Sequence, residues 1–459
     1  MGRAEERIQK KMEKNPAVEC NKIQQDFYPE LFQKFSETLD PRNLSYVLYP
    51  NRIMLGTLYY KGIAGIVSMQ SMNAKFNSEE VSGNLRGFMG EEAAEYLPHY
   101  ITENEYLERL DPQELQDIML DIVYKIIRRR SFEEARFMKK WLVIVDGTQL
   151  YSGDRKLNDK CLERCHNKGT EKEKTSYHCD VLEAKIYFGE SLVASIGSEF
   201  IENNGEDAER QKGMSQDEIK QDCETKAFKR LAANIKQKFP RLPIILLADS
   251  LYASEPVMGL CREYGWDYII RFKDGSIPSV ASEYKDIPEK GRAGNAEYVN
   301  GIDYNGNKVN LLKYKERQVH YQEDRRCRNG KPKTRKPEIR EVDFQWITNI
   351  EITDKNAGKL AAAGRIRWKV ENEGFNRQKN WQGDITHACS WNDRAQKNHY
   401  LMMQISDAMK QLYEHCYLKR KGISKKQKDI SSDLLKSFDQ QPTREDISLE
   451  MEMHSATIH

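Results

Sequence analysis

Two aspartates in this sequence stand directly after long apolar runs. Residues 141–145 lead into Asp146, and residues 243–248 lead into Asp249. Such runs predict buried strands that end in an acid. Burying a carboxylate costs several kcal/mol unless it is paired or holds a metal ion. A third acid, Glu371, lies within residues 365–375, which predict a helix, so the three acids together indicate a carboxylate site for a divalent metal.

Three carboxylates from distant parts of a chain suit phosphoryl transfer. Hard oxygen ligands favour Mg²⁺ or Mn²⁺, and two such ions about 4 Å apart would activate the attacking oxygen and stabilise the leaving one. A rival interpretation comes from the Asp-Gly-Thr that begins at Asp146, because haloacid-dehalogenase phosphatases carry Asp-x-Asp-Gly-Thr. Position 144 is Ile here, so the nucleophilic aspartate of that motif is missing.

The elements around these acids alternate between strand and helix. After the Asp146 strand, two alternating runs joined by Gly189 and Glu190 predict a hairpin. A helix with an apolar side chain at every fourth position follows, then the Asp249 strand, another helix and a strand over residues 267–272. This order predicts an α/β fold with a mixed sheet, as in ribonuclease-H-like domains.

Composition and pattern divide the chain into five parts. The first 135 residues predict a helical N-terminal domain, a candidate for binding DNA ends, in which Asp111 and Pro112 predict the start of an amphipathic helix. The catalytic core is expected in two pieces, separated by a β-rich basic insertion and followed by a basic polar tail. The predicted bounds are core 136–274, insertion 275–345, core with the Glu371 helix 346–416, and tail 417–459.

The overall composition leaves the choice of partner open. The 73 Lys and Arg against 71 Asp and Glu give a formal net charge of +2, and 39% hydrophobic residues suffice for a large core. No apolar stretch is long enough to cross a bilayer, and the first residues lack the apolar core of a signal peptide. Nine cysteines without a disulfide framework favour a reduced, cytoplasmic compartment.

One group of cysteines has a second interpretation. Cys161 and Cys165, together with His178 and Cys179, could ligate zinc. Their spacing departs from that of common zinc fingers, which favours reduced cysteines without a metal.

The predicted insertion carries the strongest local charge. Residues 313–340 contain 11 Lys and Arg against 4 Asp and Glu. Such a surface binds DNA phosphates with a salt-dependent affinity, although a solvated loop would have the same composition. Trp346 and Trp368 could stack on an unpaired base or pack in the core. The basic residues selected as DNA-binding are Arg325, Arg326, Arg328, Lys333, Arg335 and Lys336.

Four stretches of the chain resemble, in family order, DDE transposases of bacterial insertion sequences, in the group with a Tyr-x2-Arg-x3-Glu-x6-Lys signature. They are VDGTQLYSG around Asp146, KQDCETKAFKRL, LADSLYASEP around Asp249, and RIRWKVENEGFNRQKN around Glu371. The resemblance implies a metal-dependent enzyme that nicks DNA at the ends of its element and joins the freed 3′-hydroxyl to target DNA. It also implies two Mg²⁺ or Mn²⁺ ions, double-stranded DNA as partner, a homodimer in the active complex, and a place at the bacterial nucleoid.

The same resemblance assigns roles to single residues. Asp146, Asp249 and Glu371 would ligate the metal ions, while Arg367, with Lys379, would hold DNA phosphate. A catalytically idle DNA-binding or repressor protein of the same ancestry is the alternative, although such a protein has no reason to keep three buried acids.

Two positions depart from the signature, and one glutamate has a rival. Gly364 stands where the signature has tyrosine, and Gln378 stands where it has lysine, which puts a hairpin route of excision in doubt. Glu373 lies two residues after Glu371, and side chains so spaced point about 200° apart on an α-helix. Only one can face the aspartates, and Arg367, one turn earlier, favours Glu371.

Overall fold

A computed structural model describes residues 15–91, 95–202, 223–320 and 338–440. The chain forms two compact units. The first unit consists of Met1–Ala135, Gly147–Lys238 and Lys369–His459, and the second of Arg136–Asp146 and Phe239–Trp368. Each unit is therefore built from segments that are distant in the sequence.

Helices make up the first part of the first unit. Asp111 begins the longest of them, because its side chain accepts a hydrogen bond from the backbone N–H of Gln113 and Pro112 occupies the first turn, as the sequence predicts. The helices are α1 (Pro16–Phe27), α2 (Leu31–Glu37), α3 (Asn51–Ile63), α4 (Met69–Phe76), α5 (Glu79–Met89), α6 (Tyr100–Leu107) and α7 (Pro112–Arg129).

A strand group and the last helices complete the first unit. Strand β3 (Lys174–Tyr187) pairs antiparallel with β2 (Leu162–His166) and with β4 (Val193–Ile201). It also neighbours β1 (Trp141–Gly153), whose residues 147–153 belong to this unit. The helices that follow are α8 (Glu224–Lys238), α12 (Arg377–Asn380), α13 (Asp393–Tyr413) and α14 (Gln427–Ser437), with π-helices at Val370–Asn376 and Glu414–Lys419.

Helix α13 forms the centre of this unit and is buried along most of its length, polar residues included. It packs against α1, α3, α7 and β4. Its Asp407 accepts a hydrogen bond from Arg377 at 2.6 Å, and its Gln404 accepts one from Lys185 of β3 at 2.7 Å. These two buried side chains of α13 therefore have partners, which avoids the cost of leaving them unpaired.

The second unit is a mixed sheet with helices. Its strand order is β1, β5 (Ile244–Ala248), β6 (Asp267–Arg271), β10 (Glu338–Thr348), β9 (Asn307–His320), β8 (Ala296–Tyr304) and β7 (Gly291–Ala293). The β1–β5 and β5–β6 pairs are parallel, and the pairs from β6 through β10, β9 and β8 to β7 are antiparallel. The helices are α9 (Glu255–Tyr264), α10 (Pro278–Asp286) and α11 (Ala357–Arg365).

The predicted mixed α/β architecture is confirmed, and it is consistent with a ribonuclease-H-like fold. Strands β7 to β10, which include the β-rich segment expected between residues 275 and 345, continue the same sheet of the second unit. The five predicted domain boundaries stay predictions. Among the residues that the structure describes, no helix is both long and apolar enough to cross a membrane.

Candidate functional site

Asp146 and Asp249 lie at the same edge of the sheet in the second unit. The strands that carry them, β1 and β5, pair in parallel with Ile144 opposite Leu247. Asp146 follows Ile144 by two residues, and Asp249 follows Leu247 by two residues. The two aspartates are therefore level with each other when the parallel register is continued. Neighbouring strands are about 5 Å apart, so the backbones of the two aspartates are separated by one strand spacing. Both residues lie at the carboxyl edge, where α/β sheets bind ligands.

The two aspartates differ in their local structure. Asp249 follows the last residue of β5 and caps a short 3₁₀ turn, Ser250–Tyr252, by accepting a hydrogen bond from the N–H of Leu251 at 2.8 Å. Asp146 does not end its strand, because β1 continues to Gly153 in the first unit. The pairing with β5 nevertheless ends at Ile144, two residues before Asp146, so Asp146 lies beyond the paired part of the two strands.

Arg367 contacts Asp146 directly. Its Nη1 donates a hydrogen bond to Oδ2 of Asp146 at 3.1 Å, and the two side chains are 13% and 19% exposed. Arg367 lies in a two-residue turn after α11, so the single helix predicted over residues 365–375 is interrupted. The shared role of Arg367 and Glu371 in one site, and the role of Arg367 at phosphate, stay predictions.

The two tryptophans considered for base stacking, Trp346 and Trp368, have different environments. Trp368 is 44% exposed, and the guanidinium groups of Arg365 and Arg367 lie 5.6 Å and 5.3 Å from its ring centre. Trp346 is 2% exposed, so it packs in the core. A side-chain carbon on Gly364 would lie 2.5 Å from the Trp346 indole, which explains why the tyrosine of the signature does not fit at this position.

Glu371 and its neighbours belong to the first unit, in the π-helix Val370–Asn376. This form is rare and occurs often at functional sites. Glu373 accepts a hydrogen bond from Lys369 at 3.1 Å. Gln378, at the lysine position of the signature, is buried and donates to Gln404 and to Asp407. Lys379 lies in the short helix α12.

The donor chemistry of the predicted acids fits a hard cation. Asp146 and Asp249 present carboxylate oxygens at one edge, and oxygen is the donor that Mg²⁺ and Mn²⁺ prefer. Within residues 15–91, 95–202, 223–320 and 338–440, no three His, Cys, Asp or Glu side chains form a group that could hold a metal ion. The identity of the metal therefore stays a prediction.

The predicted zinc residues are not gathered as a set. Sγ of Cys161 lies 2.9 Å from Sγ of Cys179, and both cysteines are free thiols. Cys165 is exposed and pairs in register with Thr175, whereas Leu162 lies opposite His178. Burial lowers the pKa of His178 despite the opposing effect of Asp180. The structure thus brings two of the four residues together.

Two further charged residues, one in each unit, were not selected from sequence. Arg271, the last residue of β6, is level with Asp249, because Ala248 lies opposite Ile270 in the parallel β5–β6 pair. Glu224 begins α8, and a side-chain carbon on Gly147 would lie 2.7 Å from its carboxylate. Glu224 stands in the conspicuous stretch KQDCETKAFKRL, which could have indicated it, but no local pattern indicates Arg271. The insertion residues Arg325, Arg326, Arg328, Lys333, Arg335 and Lys336 lie outside the described residues.

Comparison with known proteins points to one class of enzyme domain. Residues 221–405 match the family model of the transposase DDE domain. This match covers less than half of the 459-residue chain and includes Asp249, Arg367 and Glu371 but not Asp146. The central part of the chain is thus similar to the domain that the sequence motifs resemble.

Comparison with solved structures gave six matching chains. One of them is described as a cryo-EM structure of the piggyBac transposase synaptic complex with hairpin DNA. The two chains share 13% identity with a TM-score of 0.42, over 96% of this chain and 82% of the other. A comparison with curated proteins gave no match.

Proposed function

We propose that this protein is a DDE transposase that nicks DNA at the ends of its element and transfers the freed strand into target DNA. The observation that carries the proposal is the level arrangement of Asp146 and Asp249 at the carboxyl edge of parallel strands. The match of residues 221–405 to the transposase DDE domain supports it. We place the protein in the group of bacterial insertion-sequence transposases with the tyrosine-arginine-glutamate-lysine signature. This part of the proposal depends on the sequence motifs alone.

Asp146, Asp249 and Glu371 would hold Mg²⁺ or Mn²⁺ in this proposal. The ions would supply activation of the attacking oxygen and stabilisation of the leaving oxygen. Arg367 has a fork of N–H donors that suits a phosphate, and its bond to Asp146 places that fork at the same edge. The chain's own contribution is thus to present acids and one arginine to the same stretch of DNA backbone.

The proposed partners are double-stranded DNA and a second copy of the chain. Residues 313–340, with 11 basic against 4 acidic residues, provide a candidate DNA-contacting segment. Trp368, exposed beside two arginines, is a candidate for stacking on an unpaired base. The cytoplasmic location at the nucleoid follows from such a function.

A nicking assay tests the proposal. Labelled linear DNA that contains the sequences flanking the reading frame is incubated with the full chain and Mg²⁺, and products are resolved on a denaturing gel. Asp146→Asn and Asp249→Asn should each lower the nicking rate at least about 100-fold, with DNA binding retained. Asp303→Asn is the matched control, since Asp303 lies beside the β8–β9 turn and forms an exposed ion pair with Lys308.

The outcomes separate the two candidate functions. Nicking at wild-type rate by either of the first two variants would show that the acids have been assigned wrongly. A protein that leaves a footprint on the flanking DNA but never nicks it, with either Mg²⁺ or Mn²⁺, would be the idle DNA-binding alternative.

A further inference from the structure

Three neighbouring parallel strands present charged residues at one level of their carboxyl edge. The β1–β5 register aligns Asp146 with Asp249, and the β5–β6 register aligns Asp249 with Arg271. At about 5 Å between strands, the Arg271 backbone is one strand from Asp249 and two from Asp146. Two acidic residues and one basic residue therefore lie side by side, in the order Asp146, Asp249, Arg271, at the edge of the sheet where ligands bind in α/β folds.

Aromatic rings hold the Arg271 side chain in place. Its guanidinium carbon lies 4.7 Å from the centre of the Phe344 ring and 5.7 Å from that of Trp346. The guanidinium of Arg365 lies 4.1 Å from the same Phe344 ring. Phe344 and Trp346 are buried and stacked on each other, so they form a rigid base for the two arginines.

The charge of this group is only partly balanced. Arg365 pairs with Glu316 at 3.1 Å, and Arg367 pairs with Asp146 at 3.1 Å. Arg271 has no carboxylate partner among the described residues, and its one hydrogen bond there runs from Nη2 to the carbonyl oxygen of Asp343 at 3.2 Å. Its Nη1 is buried without a partner in the same part of the chain.

This arrangement disfavours the charged form of Arg271 in the protein alone. Burial, followed by the neighbouring charges of Arg365 and Arg367, lowers the pKa of Arg271 from its ordinary value. A guanidinium remains charged nonetheless. An anion bound beside the three arginines would relieve the repulsion and would accept a hydrogen bond from Nη1 of Arg271, which has no partner among the described residues.

We propose that Arg271 binds a DNA phosphate beside Asp146 and Asp249, as the third arginine of an anion site with Arg365 and Arg367. This inference rests on the proposed function for the identity of the anion. A phosphodiester fits because the site is next to the two acids that would act on the DNA backbone. The competing explanation is that Arg271 only packs β10 against β6 through Phe344.

Salt-dependent DNA binding tests the inference. Full-length protein is titrated into a fluorescent duplex of flanking DNA with Ca²⁺ in place of Mg²⁺, over a series of KCl concentrations. Arg271→Gln should flatten the plot of log affinity against log salt by about one unit. Arg262→Gln is the matched control, because Arg262 of the same unit pairs with Glu255 on α9, and its slope should equal that of the wild type.

A scan of neutral phosphates locates the contact. Single methylphosphonate groups are placed along the duplex, and one of them should weaken wild-type binding about tenfold. The same group should have at most a threefold effect on Arg271→Gln, because the interaction is already lost. If Arg271→Gln does not fold, Arg271→Lys is used in its place, because lysine keeps the positive charge but cannot form the bidentate contact with phosphate. The neutral phosphate should again weaken DNA binding by this variant less than binding by the wild type.

The results distinguish failure of the inference from failure of the proposed function. Wild-type nicking together with an unchanged salt slope and no altered response to any neutral phosphate would overturn the role of Arg271 alone. If the wild type neither nicks nor binds DNA, thermal unfolding with inorganic pyrophosphate decides the matter. Stabilisation of the wild type but not of Arg271→Gln would support the anion site, and stabilisation of neither or of both would overturn it.

Discussion

Arg367 and Asp146 form an ion pair within the second unit, with 3.1 Å between Nη1 and Oδ2 and with both side chains mostly buried. The sequence predicts separate ligands for the two residues, a phosphate for the arginine and a metal ion for the aspartate. In the protein alone each neutralises part of the charge of the other. Binding of DNA and metal would therefore exchange this pair for two new contacts.

The ion pair predicts a coupling between the two residues. Arg367→Gln, Asp146→Asn and the double variant should form a cycle with a coupling free energy of about 1–3 kcal/mol, because each single change leaves a partly buried charge without this partner. Urea unfolding of the four proteins measures it. Additive effects, within about 0.5 kcal/mol, would show that the pair does not contribute to stability.

The π-helix predicts unequal effects of its two glutamates. Glu371 is our choice for the third acid because it stands at the glutamate position of the signature. Glu373, two residues later, accepts a hydrogen bond from Lys369. Glu371→Gln should abolish nicking, whereas Glu373→Gln, which removes the same charge from the same helix, should lower the rate at most a few-fold. Initial nicking rates on flanking DNA measure both. The reverse order of effects would transfer the role to Glu373.

We predict that the space at position 364, the tyrosine position of the signature, is too small for a side chain larger than that of glycine. Gly364→Ala should lower the free energy of unfolding by about 1–3 kcal/mol, because the new carbon would clash with the buried Trp346 indole. Gly358→Ala on the same helix, α11, is the control, since no atom lies within 4 Å of the new carbon. That control should be neutral or slightly stabilising.

A second change tests whether the clash is the cause. Replacing Trp346 by Leu in the Gly364→Ala protein should recover part of the lost stability relative to the sum of the two single changes. Equal destabilisation by Gly364→Ala and Gly358→Ala in urea would show that Trp346 does not limit this position.

His399 predicts a loss of stability in mild acid. Burial, assisted by the nearby Lys61 and His387, lowers the pKa of His399 to about 3 from an ordinary 6.5. Between these values the unfolded chain binds a proton that the folded protein does not, so the contribution of this group falls as the pH drops below about 6.5. The expected loss is about 2 kcal/mol at pH 5.

Urea unfolding between pH 7.5 and 5 measures this effect. His399→Gln keeps a group that can bond to Asn104, the present partner at 3.0 Å, but does not titrate. Its stability should fall less steeply than that of the wild type, whereas the exposed control His166→Gln should follow the wild type. Parallel curves for wild type and His399→Gln would contradict the shift.

Local features of the chain were readable from sequence. The apolar runs before Asp146 and Asp249 form strands, and Asp111 caps its helix, because both depend on side chains within a few residues of each other. The resemblance to DDE transposases agrees with the family match of residues 221–405. Strand identity and motif content are properties of short segments, so the sequence by itself determines them.

Tertiary structure decided which distant residues share an environment. Glu183 and Lys185 alternate with apolar residues along β3, yet both are buried, and Tyr400 and Gln404 of α13 bond to them. Arg271 is level with Asp249 only because β5 and β6 pair in one parallel register. Pairing and packing depend on chain segments that no local window contains, and for that reason the sequence alone did not indicate Arg271.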